Sequence, residues 1–224
     1  MIGVIPCAGK AKRFGKCKAL IKVKGKPLIK HIILNMMPFV KKIIIIQHGK
    51  EIEKAIGDNY LDIPIVYVQQ KHRKGIAHAI YKCKRIVNEN MIIILGDIIY
   101  DGNFIDMKQS FEKSKVDFLF GVQKVKDKKL IKKSYGIFYE EFLRVIEKPL
   151  ESDLDNLFPY LGLGIYMATP ILFDYIKQTK PNERTGEIEF TDTINIVPKD
   201  LCAANILEGD YININTMEDY KKVK

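Results

Sequence analysis

Cysteine is scarce in this chain of 224 residues, and the four present, Cys7, Cys17, Cys83 and Cys202, are neither closely paired nor flanked by histidines at ligand spacing. That excludes a disulfide framework and argues against a zinc site, so all four are expected to be reduced thiols. Long apolar runs are missing too. Ile43–Ile46 and Met91–Leu95 are the longest, far short of the roughly 20 residues that cross a bilayer, and both read as buried strands. The opening Met-Ile-Gly-Val-Ile-Pro lacks the basic segment and apolar stretch of a signal peptide, so a cytoplasmic protein with no membrane partner is expected. There is no internal repeat and no low-complexity linker. The one candidate boundary, Glu151 to Asn156, is too short to separate a pair of independently folding halves, and residues 1–224 are expected to form a single domain.

What is abundant is positive charge. Lys plus Arg number 37 against 27 Asp plus Glu, a formal charge of +10, which points to anionic partners. Much of the excess, such as Lys128, Lys129, Lys132, Lys133 and Lys221 to Lys224, reads as solvated surface and tail. A nucleic-acid binder would need cations along one face with aromatics interleaved, whereas the aromatics here fall mostly in core-like segments. The cations between Lys10 and Lys30 are different because they coincide with a Gly/Ala-rich loop.

In the first half, strand-like segments at Ile2–Pro6, Lys42–Gln47, Ile65–Val68 and Met91–Leu95 alternate with helical patterns at Pro27–Asn35, Glu51–Ile56 and Gly75–Val87. The last of these sets Ile76, Ala79, Ile80, Cys83 and Ile86 along one face. This alternation predicts an α/β fold with a mostly parallel mixed sheet, helices on both faces, and ligands at the carboxyl ends of the strands. Asp97 falls at such an end. A helix near Phe104–Ser114 follows, then strand-like pieces at Asp117–Lys124, Tyr135–Tyr139, Leu143–Glu147 and Gly162–Met167, read as a mixed part of the sheet that builds a second half-site. Helices at Pro170–Gln178 and Phe190–Ile196, a strand near Ala203–Leu207 and a helix at Thr216–Val223 complete the pattern.

Directly after the first strand, Ala8, Gly9 and Ala11 would let backbone amides approach an anion, while Lys10, Lys12, Arg13, Lys16 and Lys18 supply charge. The loop is not a Walker A motif, since no Gly-Lys-Ser/Thr follows, and it lacks the three glycines of a dinucleotide fingerprint. Ala8-Gly9 with Arg13, Lys18-Ala-Leu20 and Gly25-Lys-Pro-Leu-Ile29 together resemble the opening of the sugar-1-phosphate nucleotidyltransferases, the nucleotide-sugar pyrophosphorylases that include glucose-1-phosphate thymidylyltransferase-like proteins. Further segments resemble the family in the family's order: Gln69-Gln70 with Gly75-Ile-Ala-His-Ala79, Leu95-Gly-Asp97, Tyr135-Gly136, Glu147-Lys-Pro149, Gly164-Ile-Tyr166, Gly186-Glu-Ile-Glu-Phe-Thr-Asp192 and Asn213-Ile-Asn-Thr-Met-Glu-Asp-Tyr220. The first segment alone also resembles molybdenum-cofactor guanylyltransferases, but Glu-Lys-Pro and Gly-Ile-Tyr favour the sugar branch.

The resemblance implies a Rossmann-like domain of the glycosyltransferase A type and a reaction in which a sugar 1-phosphate attacks the α-phosphorus of a nucleoside triphosphate and pyrophosphate leaves. The nucleophile is already anionic, so such a site needs alignment and charge neutralisation, for which Lys, Arg and one Asp suffice. By resemblance, Arg13, Lys18 and Asp97 are catalytic, with Lys10 and the amides near Ala8 and Gly9 assisting at the triphosphate. Gln70 and Gly75 recognise the base, with Gln69 as the neighbour that could take the same place. Glu147 holds sugar hydroxyls and Lys148 the sugar phosphate, while Tyr135, Gly136, Gly164 and Tyr166 shape the sugar pocket. Magnesium is the implied cofactor, on Asp97 and, where many relatives carry a second Asp, on Asn213. Asp192 and Glu187 lie near the sugar in this reading, although Asp192 also fits a helix cap. Two other readings stay open: a cytidylyltransferase of a phosphorylated alcohol or polyol, and a catalytically silent nucleotide-sugar sensor. Association into a homo-oligomer is open as well.

Overall fold

The computed structural model describes residues 1–9, 17–138 and 144–223. Its centre is an eight-stranded sheet whose strands are β1 (Ile2–Pro6), β2 (Ile43–Gln47), β3 (Asn59–Tyr60), β4 (Ile63–Gln69), β5 (Met91–Ile94), β6 (Phe118–Lys124), β7 (Tyr160–Ala168) and β8 (Cys202–Ile206). The spatial order is β8-β6-β7-β5-β1-β2-β4-β3. β1 pairs parallel with β2 and β5, β2 with β4, and β8 with β6, whereas β7 runs antiparallel to β5 and β6 and β3 antiparallel to β4. The mostly parallel mixed sheet expected from the alternation is present.

Buried apolar residues on both faces explain why the central strands carry no polar alternation. Ile2, Val4, Ile44, Ile46, Met91 and Ile93 pack to one side, and Ile5, Ile43, Ile45, Ile92 and Ile94 to the other. Helices α1 (Leu28–Met36), α2 (Glu51–Ile56), α3 (Ile76–Tyr81), α4 (Ile105–Ser114), α5 (Leu172–Gln178), α6 (Phe190–Ile196) and α7 (Met217–Lys221) complete the regular structure. α1 and α4 cover the second face through Ile29, Ile32, Ile33, Met107 and Phe111, while α3, α5 and α6 cover the first. At full burial each of these aliphatic or aromatic side chains contributes about 1.5–3 kcal/mol.

Three features depart from the expected elements. The segment after Gly75 is helical only to Tyr81 and continues as tight turns to Ile86. Val87 rather than Ile86 completes its buried side, at 3% exposure against 39%. Glu151–Asn156, where no regular element was expected, forms a turn of 3-10 helix whose Leu154 packs with Ile131 and Leu157. A ribbon not anticipated pairs Ile98–Tyr100 with Tyr211–Asn213, so the Asn213 segment lies directly beside Asp97, with Ile214 N–H donating to the Asp97 carbonyl at 2.9 Å.

That ribbon is locked at its exit by a capping box on α7. Thr216 Oγ1 accepts from Asp219 N–H at 3.1 Å, and Asp219 Oδ2 accepts from the amides of Asn215 and Thr216. Burial opposes ionisation of Asp219, but the bonds from Thr216 and Asn215 and the charge of Lys133 hold its carboxyl below the usual range. Removing the hydroxyl in Thr216→Val is expected to cost about 1 kcal/mol, read as a lower urea midpoint with unchanged slope.

Candidate functional site

A cleft of about 1140 Å³ opens where the parallel strands end, and part of its lining is residues that directly follow β1, β2, β4 and β5. Pro6 to Gly9 leave β1, His48 and Gly49 leave β2, Gln70 leaves β4, and Leu95 to Asp97 leave β5. Backbone bonds continue the sheet into this rim: Cys7 N–H donates to Ile46 O at 2.7 Å and Gly96 N–H to Pro6 O at 3.2 Å. Gly96 is required by that approach, since a Cβ would stand 2.9 Å from the Pro6 carbonyl and against Cys7 Sγ. The carboxylate that follows is thereby held beside the residues entering the cation-rich loop.

Lys18, opening the 3-10 turn Lys18–Leu20, places Nζ 2.9 Å from Asp97 Oδ2, and both side chains are mostly buried, at 17% and 29% exposure. Ala8 and Gly9 line the same cleft. Lys10 and Arg13 lie outside the described residues. Burial raises the Cys7 thiol well above its usual range, with Cys17 and Asp97 acting in the same direction, so the thiol adds no charge here. All four cysteines are free.

On one wall Gln70 is 3% exposed and tied down at several points. Its N–H donates to Gln47 O at 2.9 Å, its carbonyl accepts from His48 Nδ1 at 3.1 Å, and its side-chain Nε2 donates to Gly75 O at 3.0 Å and meets His78 Nδ1 at 2.9 Å. Gln69, by contrast, is exposed and donates to Gly49 O, which separates the two neighbouring glutamines. Gly75 has φ +100°, and a Cβ there would collide with the carbonyl of Ile188, so only glycine lets this turn pass the Ile188 backbone. Arg73, between them, also lines the cleft.

Lys148, Glu187 and Asn215 also line the cleft. Lys148 is in the left-handed region at φ 46°, held by its N–H on Ser134 O at 2.6 Å, while Arg184 donates to the Glu147 carbonyl at 2.8 Å. Glu147 sits behind Lys148, its Oε1 3.6 Å from Lys148 Nζ. Burial pushes the Glu147 carboxyl up to about 7, opposed by Lys148. Tyr135, Gly136, Gly164 and Tyr166 are not on the cleft wall. Both tyrosines are 2% exposed and stack with centroids 6.3 Å apart, and Tyr135 faces Glu147 in the ribbon Tyr135–Ile137 with Val145–Glu147, so they form the floor beneath that carboxyl. Gly136 is packed under Ile131 and Leu157, and Gly164 lies against Leu95 and Ile98 at the irregularity of β7. Asp192 Oδ2 accepts from Asn182 at 2.8 Å, pinning the turn that delivers Glu187.

Among the described residues no group of three His, Cys, Asp or Glu could hold a metal. The donor types of a two-ligand site for a hard cation are nevertheless present. Asn213 Oδ1 is buried and without a hydrogen-bond partner, on a strand whose neighbour Ile214 is bonded to Asp97. A buried amide oxygen and a carboxylate carried at neighbouring strands are donor types magnesium takes, completed by phosphates and waters, although Asn213, unlike Asp97, is not among the residues lining the cleft.

Residues 11–211 match the family model described as Nucleotidyl transferase. The chain belongs to the nucleotidyl transferase family. It is 30% identical over 209 residues to the UTP–glucose-1-phosphate uridylyltransferase AglF of Haloferax volcanii, covering 88% of this chain and 83% of that protein. It is 29% identical to the bifunctional protein GlmU of Methanococcus vannielii over 95% of this chain, and spans about half (50%) of that relative's length. Among solved structures, a putative glucose-1-phosphate thymidylyltransferase from Bacillus anthracis, in complex with sucrose, superposes with TM-score 0.86 and 25% identity over 100% of this chain and 94% of that one. A UDP-glucose pyrophosphorylase complexed with UDP-glucose shares the fold at TM-score 0.84 and 22% identity, over 99% of this chain and 96% of that one.

Arg73, His48 and Asn215 were not among the residues expected at the site. Arg73 had a signal, the cationic run His72-Arg73-Lys74 before Gly75. Asn215 lies in the segment Asn213 to Tyr220 that resembles the family, and only His48 had no signal.

Two outcomes follow from this geometry. Glu147 binds its proton more tightly folded than unfolded, so wild-type stability falls as pH rises from about 4.5 to 7. Thermal unfolding at pH 5 and pH 8 should therefore find Glu147→Gln gaining about 1–3 kcal/mol on the wild type between the two. A constant difference would show that the carboxyl is not desolvated. Gly75→Ala is expected to lose about 1–3 kcal/mol from its strained backbone, measured by urea unfolding.

Proposed function

We propose that this protein transfers a nucleotidyl group from a nucleoside triphosphate to a sugar 1-phosphate in a magnesium-dependent reaction, releasing a nucleotide-sugar and pyrophosphate. One observation carries the reading: a single cleft is lined at once by the buried Lys18 and Asp97 pair, by Gln70 and Gly75, and by Lys148 and Glu187. Family membership and the names of the relatives support it.

A sugar phosphate oxygen attacks the α-phosphorus, the new phosphorus–oxygen bond forms as the α–β anhydride breaks, and the electron pair leaves on pyrophosphate. No general base is required. Lys18 and Arg13 neutralise charge on the triphosphate as it accumulates on the leaving group, because lysine and arginine stay cationic at neutral pH. Lys148 holds the sugar phosphate in line, and Glu147 behind it accepts from sugar hydroxyls. Asp97 and Asn213 would hold magnesium, which supplies charge neutralisation and alignment of the phosphates. Gln70 and Gly75 hold the base. We expect the enzyme to work in the cytoplasm.

Pyrophosphate release, assayed with a panel of triphosphates and sugar 1-phosphates, should require magnesium and both substrates together. Asp97→Ala and Lys18→Ala should each lower turnover at least about 100-fold while leaving circular dichroism and the melting transition in place. Turnover near the wild-type rate in a folded Asp97→Ala variant would contradict the reading.

A further inference from the structure

In the run Lys71-His72-Arg73-Lys74 three residues are exposed, and Arg73 alone is half-buried against the cleft. Its Nε–H is shut off from solvent without an acceptor, and among the described residues its guanidinium has no hydrogen bond or ion pair. The other cations of the cleft differ. Lys18 is bonded to Asp97 at 2.9 Å, and Lys148 has Glu147 at 3.6 Å. Glu187 also lines the cleft, and its carboxylate likewise has no partner among the described residues. These two unpaired groups are carried on adjacent segments, since Ile188 N–H donates to Lys74 O at 2.8 Å and Ala77 N–H to Ile188 O at 3.2 Å. Opposite charges thus face one cleft from neighbouring positions without pairing with each other.

We propose that Arg73 and Glu187 together clamp a hydroxyl of the bound substrate, the guanidinium donating to the hydroxyl oxygen and the carboxylate accepting the hydrogen bond of its O–H. The inference rests on the nucleotidyl-transfer reading above, in which such a hydroxyl comes from the ribose of the nucleotide or from the ring of the sugar phosphate, and it adds a basis for substrate selection. A guanidinium has only donors and a carboxylate only acceptors, whereas a hydroxyl does both, so one hydroxyl satisfies the two groups at once. Other ligand groups do not. An oxyanion would satisfy Arg73 but face the carboxylate, and an amine would satisfy Glu187 but face the guanidinium. A vicinal pair of hydroxyls fits still better, because the fork of the guanidinium and the two carboxylate oxygens each offer a second bond.

The main chain sets the spacing of this pair. Arg73 stands in the turn that ends at Gly75, and Glu187 immediately precedes Ile188, whose backbone comes so close to Gly75 that a Cβ there would lie 2.4 Å from the Ile188 carbonyl oxygen. The two side chains are therefore brought to the cleft from segments that cannot drift apart without breaking the bonds of Ile188. Enclosure of Nε, with the terminal nitrogens of Arg73 not enclosed, leaves those nitrogens as the part of the side chain that a ligand meets. The Nε–H gains an acceptor only if a ligand group enters beside it, so a substrate lacking the hydroxyl leaves a desolvated donor unsatisfied.

The test measures binding of UTP, CTP, ATP and GTP, and of the 2′-deoxy and 3′-deoxy forms of the tightest, to the full chain with magnesium by calorimetry. A second arm measures kcat/KM for that triphosphate with glucose 1-phosphate, or the better acceptor from the panel above, and with its monodeoxy forms. In the wild type the loss of one particular hydroxyl should cost about 10-fold, and Arg73→Met and Glu187→Gln should each shrink that same penalty at least about 3-fold while the penalties for other hydroxyls stay in place. An effect in the nucleotide arm assigns the hydroxyl to the ribose, and one in the acceptor arm assigns it to the sugar. Arg73→Lys keeps the charge but loses the fork, so it should restore the penalty only in part, and it serves as the working variant if the methionine variant fails to fold. Equal treatment of all deoxy forms by the wild type overturns the proposal. So does a folded Arg73→Met that weakens ribo and deoxy triphosphates and inorganic pyrophosphate alike, as a cation serving phosphates only would, or a pair of folded variants that act on different hydroxyls. Ribose selectivity in binding that Arg73→Met removes, without pyrophosphate release, would leave this inference standing and sink the nucleotidyl-transfer reading instead. Absence of both turnover and ribose selectivity would sink both.

Discussion

β1 is flanked by parallel partners on both edges and covered on both faces, and this double enclosure governs where the chemistry can lie. A strand so placed has no solvated side, so its sequence is apolar throughout and its first free polar groups appear only where it ends. β2 and β5 are likewise covered on both faces, although β5 has antiparallel β7 on one edge and β2 ends in the buried Gln47, which makes the carboxyl-end rim the place where backbone amides, a carboxylate and cations can gather without burying unpaired polarity. The Lys18 and Asp97 pair sits at that rim. The approach of Gly96 to Pro6 and Cys7 draws the carboxylate in beside the loop that follows β1.

The two walls of the cleft are held by different means. The Gln70 wall is rigid because its polar atoms are bonded to neighbours that are themselves fixed, and because Gly75 passes too close to Ile188 for any side chain. The Lys148 wall depends on strain and support: a lysine in left-handed conformation, anchored by Ser134, with Arg184 on the preceding carbonyl. Tyr135 and Tyr166 stack in the buried layer beside it, and burial pushes the Glu147 carboxyl up to about 7. Residues grouped together by family order thus divide into Lys148, which lines the cleft, and buried groups packed behind it.

Much of the fold was legible in the sequence because its signals are local. The isoleucine run of β2, the apolar β5 and the spacing in α1 each follow from burial on two faces or on one stripe, and the structure has them within a residue or two of the expected bounds. The end of α3 was not legible. An apolar period continues through Cys83 to Val87, and tight turns keep that period while dropping the helical bonds. The ribbon of Ile98–Tyr100 with Tyr211–Asn213 escaped notice because three-residue strands carry no alternation long enough to detect.

The amino-acid order alone determined the class of fold, the position of the cation-rich loop, and the acid and base types available at the rim, since these depend on periodicity and composition within short windows. Tertiary structure decided which of two adjacent glutamines turns inward, that Asn213 comes to rest beside Asp97 from 116 residues away, counting 213 minus 97, and that His78 supports Gln70. Such facts depend on contacts between distant segments, and those contacts exist only once the sheet has closed and its loops have been brought to one end.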